Sequence, residues 1–401
     1  MDKKSQWTWL VYMAGDNNLE GAGRDDLAEM KQVGSTDDVN VIVQFDTEEN
    51  VTTRYRIEKN KARVVEKLSG VDCGDPKVLT QFIKWGVQKY PANHYLLDVW
   101  NHGGGWENLP ADYNYDAIRL AKPSRAAKLS RLKRALFRTT VKKIHKRKGN
   151  DRAIAIDCGS HDYLDNQELR NGVYNGLPNG QKFDILGCDA CLMNMLEIAY
   201  EMKDTANYMV GSEETEPGAG WPYTAILKQL VANPATKPAD LAKTIVAEYG
   251  KYFQKAGETA TQSALDLGQI QSVAAAVNEL AGVLLADLQN VAGGVSLARE
   301  RAQKFEMPEY VDLGDLAGQI AQRLTQNAQV KAATDKVLNA LNPTTGEGLV
   351  IQNAVSGPTV QRASGLSIYF PHPEDYAPDY SDLAFSKDGS WNKFLEELFK
   401  V

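Results

Sequence analysis

The sequence predicts an α/β protein: a mostly parallel central sheet flanked by helices, followed by a helix-rich C-terminal region. Three observations carry this reading. Short apolar runs alternate with helix-spaced stretches through the first half of the chain, the pattern of βαβ units and so of parallel strands. The runs end in Gly, Asn and Asp, which turn the chain. Beyond about residue 230 the runs give way to a long stretch rich in Ala, Leu and Gln with helical periodicity.

Taken in order, residues 7–14 (WTWLVYMA) form a near-continuous apolar run, as a strand covered on both faces requires, and Gly15-Asp16-Asn17-Asn18 turn it. Residues 19–33 have helical spacing. Residues 39–45 (VNVIVQF) read as a second strand, and the alternation over 54–68 as a hairpin at the sheet edge. An amphipathic helix over 78–89 precedes a strand at 94–100 (HYLLDVW), and 153–157, 183–187 and 208–210 are further short apolar runs. Residues 234–336 follow helical spacing. Short strands return at 348–351 and 365–371 before a last helix at 391–399. The division that follows is an α/β domain over 1–230, with a basic segment at about 112–152, and a helix-rich region with short strands over 231–401.

With 401 residues, the chain can build a large α/β domain with appendages. A net charge of -7 argues against a nucleic-acid binder. The charge is uneven, however: residues 117–150 hold no Asp or Glu but many Lys and Arg. Four cysteines are too few for a disulfide-built fold. No run of about 18 apolar residues suggests a membrane span. The first residues lack the succession of a signal peptide, which leaves the compartment open: cytoplasmic, or secreted or at the cell envelope if a leader has been removed.

In parallel sheets, reactive groups collect beyond the carboxyl ends of the strands. Two such ends stand out. The first is Trp100-Asn101-His102-Gly103-Gly104-Gly105-Trp106, where a His leaves a strand into a glycine turn that lets backbone approach a ligand. Alone, such a His equally packs or caps. The second is residues 183–194 (FDILGCDACLMN), where a strand feeds a helical pattern. A cysteine near a helix N-terminus is favoured as thiolate by the dipole and free N–H groups. By that reasoning Cys191 is the reactive residue and Cys188, inside the apolar run, a core residue. Neighbouring parallel strands lie about 5 Å apart, within reach of a Cys–His pair. His102 then acts as general base or acid and Cys191 as nucleophile, with the N–H groups of Gly103 and Cys191 as an oxyanion hole.

Five segments, in one order, are shared with a known family: residues 9–20 (WLVYMAGDNNLE), the His102-Gly103-Gly104-Gly105 turn, 189–193 (DACLM), 211–215 (GSEET) with 220–223 (GWPY), and 365–371 (GLSIYFP). On these the chain resembles the clostripain family of cysteine peptidases, relatives of caspases, gingipains and legumains. The resemblance implies the caspase–haemoglobinase fold and a His102–Cys191 dyad with no obligatory third member. It implies cleavage after Arg or Lys, with Asp189 in the pocket for that side chain and Asn18 and Thr215 as candidates for its wall. A recessed carboxylate suits a guanidinium, although Asp189 also suits a helix N-terminus. Some relatives have a second pocket acid downstream; here Pro217-Gly218-Ala219-Gly220 stand at that place, with Glu216 beside them.

Relatives are activated by self-cleavage between the His and Cys strands, so Arg119, Lys122, Arg125 and Lys128 are candidate cut points. The alternative for this stretch is a solvated cationic helix. The implied partners are protein or peptide substrates carrying Arg or Lys, and the oligomeric state is open. The chemistry implies no cofactor and no metal. Ca2+ stimulates the type member, yet the sequence holds no EF-hand or dense carboxylate loop. Competing readings are a redox protein built on Cys188-Asp189-Ala190-Cys191, and a catalytically silent, caspase-like binding or regulatory protein. A zinc site lacks further ligand pairs, and a serine esterase lacks G-x-S-x-G.

Overall fold

Strand β1 (Ser5–Ala14) is buried along almost its whole length, and its near-continuous apolar run from Trp7 needs cover on both faces. It accordingly lies inside a sheet. The computed structural model describes residues 4–49, 51–106, 115, 154–341 and 348–401. The strands are β1, β2 (Val39–Asp46), β3 (Val51–Glu58), β4 (Lys61–Ser69), β5 (Ala92–Trp100), β6 (Ile154–Asp157), β7 (Asp162–Leu164), β8 (Phe183–Asp189), β9 (Ala206–Gly211), β10 (Ala260–Asp266), β11 (Tyr310–Asp312), β12 (Val350–Ser356) and β13 (Ser367–Tyr369). Nine of them form one sheet in the order β12-β10-β9-β8-β5-β1-β2-β3-β4. Its five inner strands, β9-β8-β5-β1-β2, run parallel. The outer strands on both sides run antiparallel.

Helices cover both faces. Helix α1 (Glu20–Val33) follows β1, α2 (Pro76–Lys89) precedes β5, and α3 (Asn166–Tyr174) and α4 (Leu196–Met202) flank β8. Next come α5 (Tyr223–Ala232), α6 (Pro238–Ala256), α7 (Ile270–Ala286), α8 (Leu288–Arg301), α9 (Leu313–Arg323), α10 (Ala328–Leu341), α11 (Ala384–Asp388) and α12 (Trp391–Leu398). Helices α1, α5 and α6 pack in succession in one layer. Helices α2, α3, α4 and α7 pack in succession in the other, backed by α10 and α12. The predicted α/β class and its mostly parallel central sheet are therefore those observed.

Three details differ from the sequence reading. The run 234–336 is not helical throughout, because β10 lies within it. Its Thr261, Gln262 and Ser263 are buried, so hydrogen bonds rather than apolar periodicity hold it in place. Together β10 and β12 extend the central sheet with chain from beyond residue 230. Strand β6 leaves the central sheet and pairs with β7 in a separate two-stranded ribbon. Finally, Leu267–Ala286 is long and apolar enough to cross a membrane. Here it serves as a core helix, burying Ile270, Val273, Val277, Leu280 and Leu284.

The chain order reverses between β1 and β5: β2 lies on one side of β1, β5 and then β8 on the other. The crevice beyond such a switch point is where α/β sheets place their ligands. The two strand ends singled out in the sequence open onto it.

Candidate active site

His102 leaves β5 two residues past Trp100, which pairs with Asp189 at the end of β8. The Asn101 N–H continues the pairing by donating to the Asp189 carbonyl at 3.3 Å. Gly103 follows, packed on the Cys191 turn so closely that a Cβ there would stand 2.2 Å from the Cys191 carbonyl oxygen and 3.0 Å from its nitrogen. That approach accounts for a glycine after the His. Leu192, next to Cys191, has φ 63, a left-handed conformation a branched side chain adopts only under constraint. The Leu192 N–H donates to the Glu214 carbonyl at 3.3 Å and holds the turn. Asn17 and Asn101 tie β6 across the same ends: the Asn17 amide donates to Ile156 O at 2.8 Å, and Asn101 Oδ1 accepts from the Ile156 N–H at 3.0 Å.

Both proposed reactive side chains are fully buried. Burial brings the His102 imidazole down to about 3, so it is neutral at physiological pH. Burial also pushes the Cys191 thiol up, and the Glu216, Glu214 and Asp189 carboxyls add to this, while an N–H bond from Glu216 opposes it. That bond runs from the Glu216 nitrogen to Sγ at 3.2 Å. Thiol and imidazole are thus both neutral in the ground state. The expectation of a thiolate held by a helix N-terminus is corrected: α4 begins only at Leu196, and the dipole fades beyond its first turn. The same boundary removes the alternative of Asp189 as a helix-terminal acid.

His102 Nε2 lies 2.7 Å from Asn18 Oδ1. An amide oxygen accepts, so Nε2 carries the proton and Nδ1 keeps the lone pair that can receive another.

Beside Asn101 lies a small cavity of about 10 Å³, lined by Ala22 and Asp26 of α1, Trp100 at the end of β5, Asn101, Asp189, Glu216, Pro217, Gly218 and Gly220. This is close to the room one water needs. Three carboxyls face it. Asp26 Oδ2 accepts from Trp100 Nε1 at 2.8 Å. Asp189 Oδ2 accepts from the Trp221 N–H at 3.2 Å and meets the Tyr223 hydroxyl at 2.8 Å. That hydroxyl also lies 2.9 Å from Asp98 Oδ2. One hydroxyl proton serves only one of the two, so the other contact requires a protonated carboxyl as donor. Burial accordingly raises Asp98, Asp189 and Glu216 above the usual carboxyl range.

Of the residues named from sequence, Gly103 packs on Cys191 with His102 just before it in the chain, and Asp189 lines the nearby cavity. Asn18 is not in the lining of that cavity; its side chain is on His102. Thr215 is absent from it too, its hydroxyl bonded to Glu214 Oε1 at 3.0 Å. Arg119, Lys122, Arg125 and Lys128 lie outside the described residues. Cys188 is buried within β8. Sequence reasoning missed Asp26, which reads as an ordinary acid on a surface helix, and it left Glu216 without a role.

The profile of the Clostripain family matches residues 11–119 and 142–398, breaking inside the basic stretch. Clostripain of Hathewaya histolytica is 26% identical over 275 residues, covering 60% of this chain. The match spans 45% of that relative's length. Among solved structures, an inactive zymogen C11 protease from Parabacteroides distasonis superposes with a TM-score of 0.67 at 20% identity, covering 97% of this chain and 99% of that one. A secreted C11 cysteine protease from Bacteroides thetaiotaomicron, in complex with an irreversible peptide inhibitor, gives 0.64 at 19% identity, with 98% and 99% covered. At these identities the two structures establish the fold alone, which is the α/β arrangement described above. The family match covers most of the sequence and both strand ends, and the chain belongs to the clostripain family of cysteine peptidases.

Proposed function

We propose that this chain is a cysteine endopeptidase that cleaves after Arg or Lys, and that a cut within its basic segment activates it. The observation that carries the reading is the meeting of His102 and the Cys191 turn at the sheet's switch point, beside a cavity of buried carboxyls. Cys191 Sγ attacks the scissile carbonyl carbon, and His102 Nδ1 takes the thiol proton. The N–H groups of Gly103 and Cys191 face the oxyanion; losing one such donor costs roughly 100- to 1,000-fold in rate. His102 then passes its proton to the leaving amine, and water releases the acyl group from Sγ. Asp189 recognises the basic side chain through a charge-assisted contact.

The complete burial of His102 and Cys191 supports a latent form, since a substrate reaches them only after covering chain moves. The break in the family match at 120–141 supports the basic stretch as the place where that movement is released. No cofactor is assigned to the chemistry. A Ca2+ requirement rests on the family's type member; the metal-type cluster among the described residues, Asp46, Cys73 and Asp157, includes a thiol, which suits that hard cation poorly.

Mass spectrometry of the purified protein and its Cys191→Ala form tests nucleophile, specificity and activation together. The proposal expects a wild-type chain cut after a basic residue within 119–128 and an intact variant. Identical cutting in both forms would refute self-cleavage.

A further inference from the structure

The acidic cavity and the nucleophile share one residue. The Glu216 N–H donates to Cys191 Sγ at 3.2 Å, while the Glu216 side chain lines the cavity with Asp26 and Asp189. That side chain is 3% exposed, and neither of its carboxylate oxygens has a partner at hydrogen-bond distance among the described residues, the Trp221 indole N–H being the donor that acts on it. The Asp189 carboxyl acts on it across the cavity and, with burial, raises it above the usual carboxyl range. A buried carboxyl without donors at that distance is stable only when protonated or set against a cation. Among the described residues, the groups around it supply no cation. They are Asp26 on α1, Asp98 on β5, Cys188 and Asp189 on β8, Trp221 and Tyr223 before and in α5, Tyr249 on α6, Glu214 in the same loop, and the neutral His102.

We propose that Glu216 couples filling of this cavity to ionisation of the nucleophile: a cationic substrate side chain set against Asp26, Asp189 and Glu216 supplies the charge that lets the Cys191 thiol pass its proton to His102. The inference rests on the dyad and pocket proposed above and adds the order of events. Before the cation enters, a thiolate at Cys191 faces the carboxyls of Glu214, Glu216 and Asp189 from a buried position. The closed cavity has room for about one water, so the side chain enters as the covering chain moves; the guanidinium or ammonium then offsets the cavity carboxyls, and the Glu216 N–H bond to sulfur supports the thiolate. The S–H bond breaks as an N–H bond forms on the imidazole, so thiol and imidazole become thiolate and imidazolium with no change in total charge. A peptide without a basic residue meets a thiol instead. Discrimination then appears in kcat as well as in KM.

Benzamidine, a cation without a scissile bond, tests this on the form of the protein that cleaves an Arg-linked reporter. Iodoacetamide alkylation of Cys191 is followed by peptide mass spectrometry across pH, with and without benzamidine, in wild type and Glu216→Gln. The expected result is alkylation about tenfold faster at pH 7 with benzamidine, as its pH midpoint falls by one unit. Glu216→Gln, uncharged and of the same shape, lowers the midpoint without benzamidine and responds little when it is added. If benzamidine competes with the reporter yet leaves the wild-type alkylation profile unmoved, the coupling is overturned while the pocket stands. If no form cleaves the reporter, or Cys191→Ala still does, the underlying assignment has failed instead.

Discussion

Replacing Asn18 by Ala should slow the reaction without weakening substrate binding. Asn18 Oδ1 lies 2.7 Å from Nε2 of the buried His102. Its loss removes an acceptor from a buried donor, a change worth about 1–3 kcal/mol. At about 1.4 kcal/mol per tenfold, kcat/KM should fall roughly 5- to 150-fold. The contact strengthens when the imidazole becomes imidazolium, because a charged donor bonds more strongly. The fall should therefore lie in kcat, with KM little changed. Asn18→Asp adds a sign test. Burial holds His102 down at about 3, and a carboxylate beside it favours the protonated ring, so the acid limb of the pH–rate profile should move to higher pH. The assay is hydrolysis of an Arg-linked reporter from pH 4 to 9. Asn18→Ala within twofold of wild type, together with an unmoved acid limb in Asn18→Asp, would refute the role given to Asn18.

Other consequences follow from single contacts. Gly103→Ala places a Cβ 2.2 Å from the Cys191 carbonyl oxygen, a backbone atom that cannot rotate away; kcat/KM should fall by about 100-fold or more as the two strand ends part, and full activity would contradict the packing. Glu197 accepts from the Tyr369 N–H at 2.9 Å and the Tyr380 hydroxyl at 2.7 Å, and burial raises its carboxyl from 4.5 to about 7. The folded state therefore holds this proton to higher pH than the unfolded chain. Stability is full below about pH 4.5 and declines as pH rises through 7, by roughly 3 kcal/mol from this group. Asp46, raised to about 7, and Asp312, raised to about 6, act in the same direction. Urea midpoints should be lower at pH 8 than at pH 5.5, and less so in Glu197→Gln; a higher wild-type midpoint at pH 8 would contradict this.

The inner strands and the close approach of the His102 and Cys191 turns were legible because they rest on local signals. The run 7–14 must be covered on both faces, and Gly103 after His102 marks a close backbone approach. Strand β10 was not legible: ATQSALD has the polarity of a loop, and only its place between β9 and β12 buries Thr261, Gln262 and Ser263. The acidic cavity was half legible. Asp189 stands two residues before Cys191 in sequence, whereas Asp26 arrives from α1 and Glu216 from the loop before α5. Nothing local relates residues 26, 189 and 216; α1 packing against α5 brings them together. Asn18 shows the same limit in reverse: the sequence reading made it a pocket-wall candidate, whereas its side chain lies 2.7 Å from His102 Nε2. The thiol of Cys191 was misread because an apolar helical pattern was extended back to it, whereas the left-handed Leu192 and the following turn delay the helix to Leu196.

The central claim, that Cys191 is the nucleophile of a peptidase selective for basic residues, is tested most directly with an Arg-derived chloromethyl ketone. The compound alkylates a thiolate that an arginine side chain has brought to the carbonyl. Peptide mapping should find one adduct, on Cys191, with Cys73, Cys158 and Cys188 unmodified. The adduct should be absent from Cys191→Ala and form far more slowly in His102→Ala. Reporter cleavage that persists in Cys191→Ala, or a label carried mainly by Cys188, would contradict the assignment.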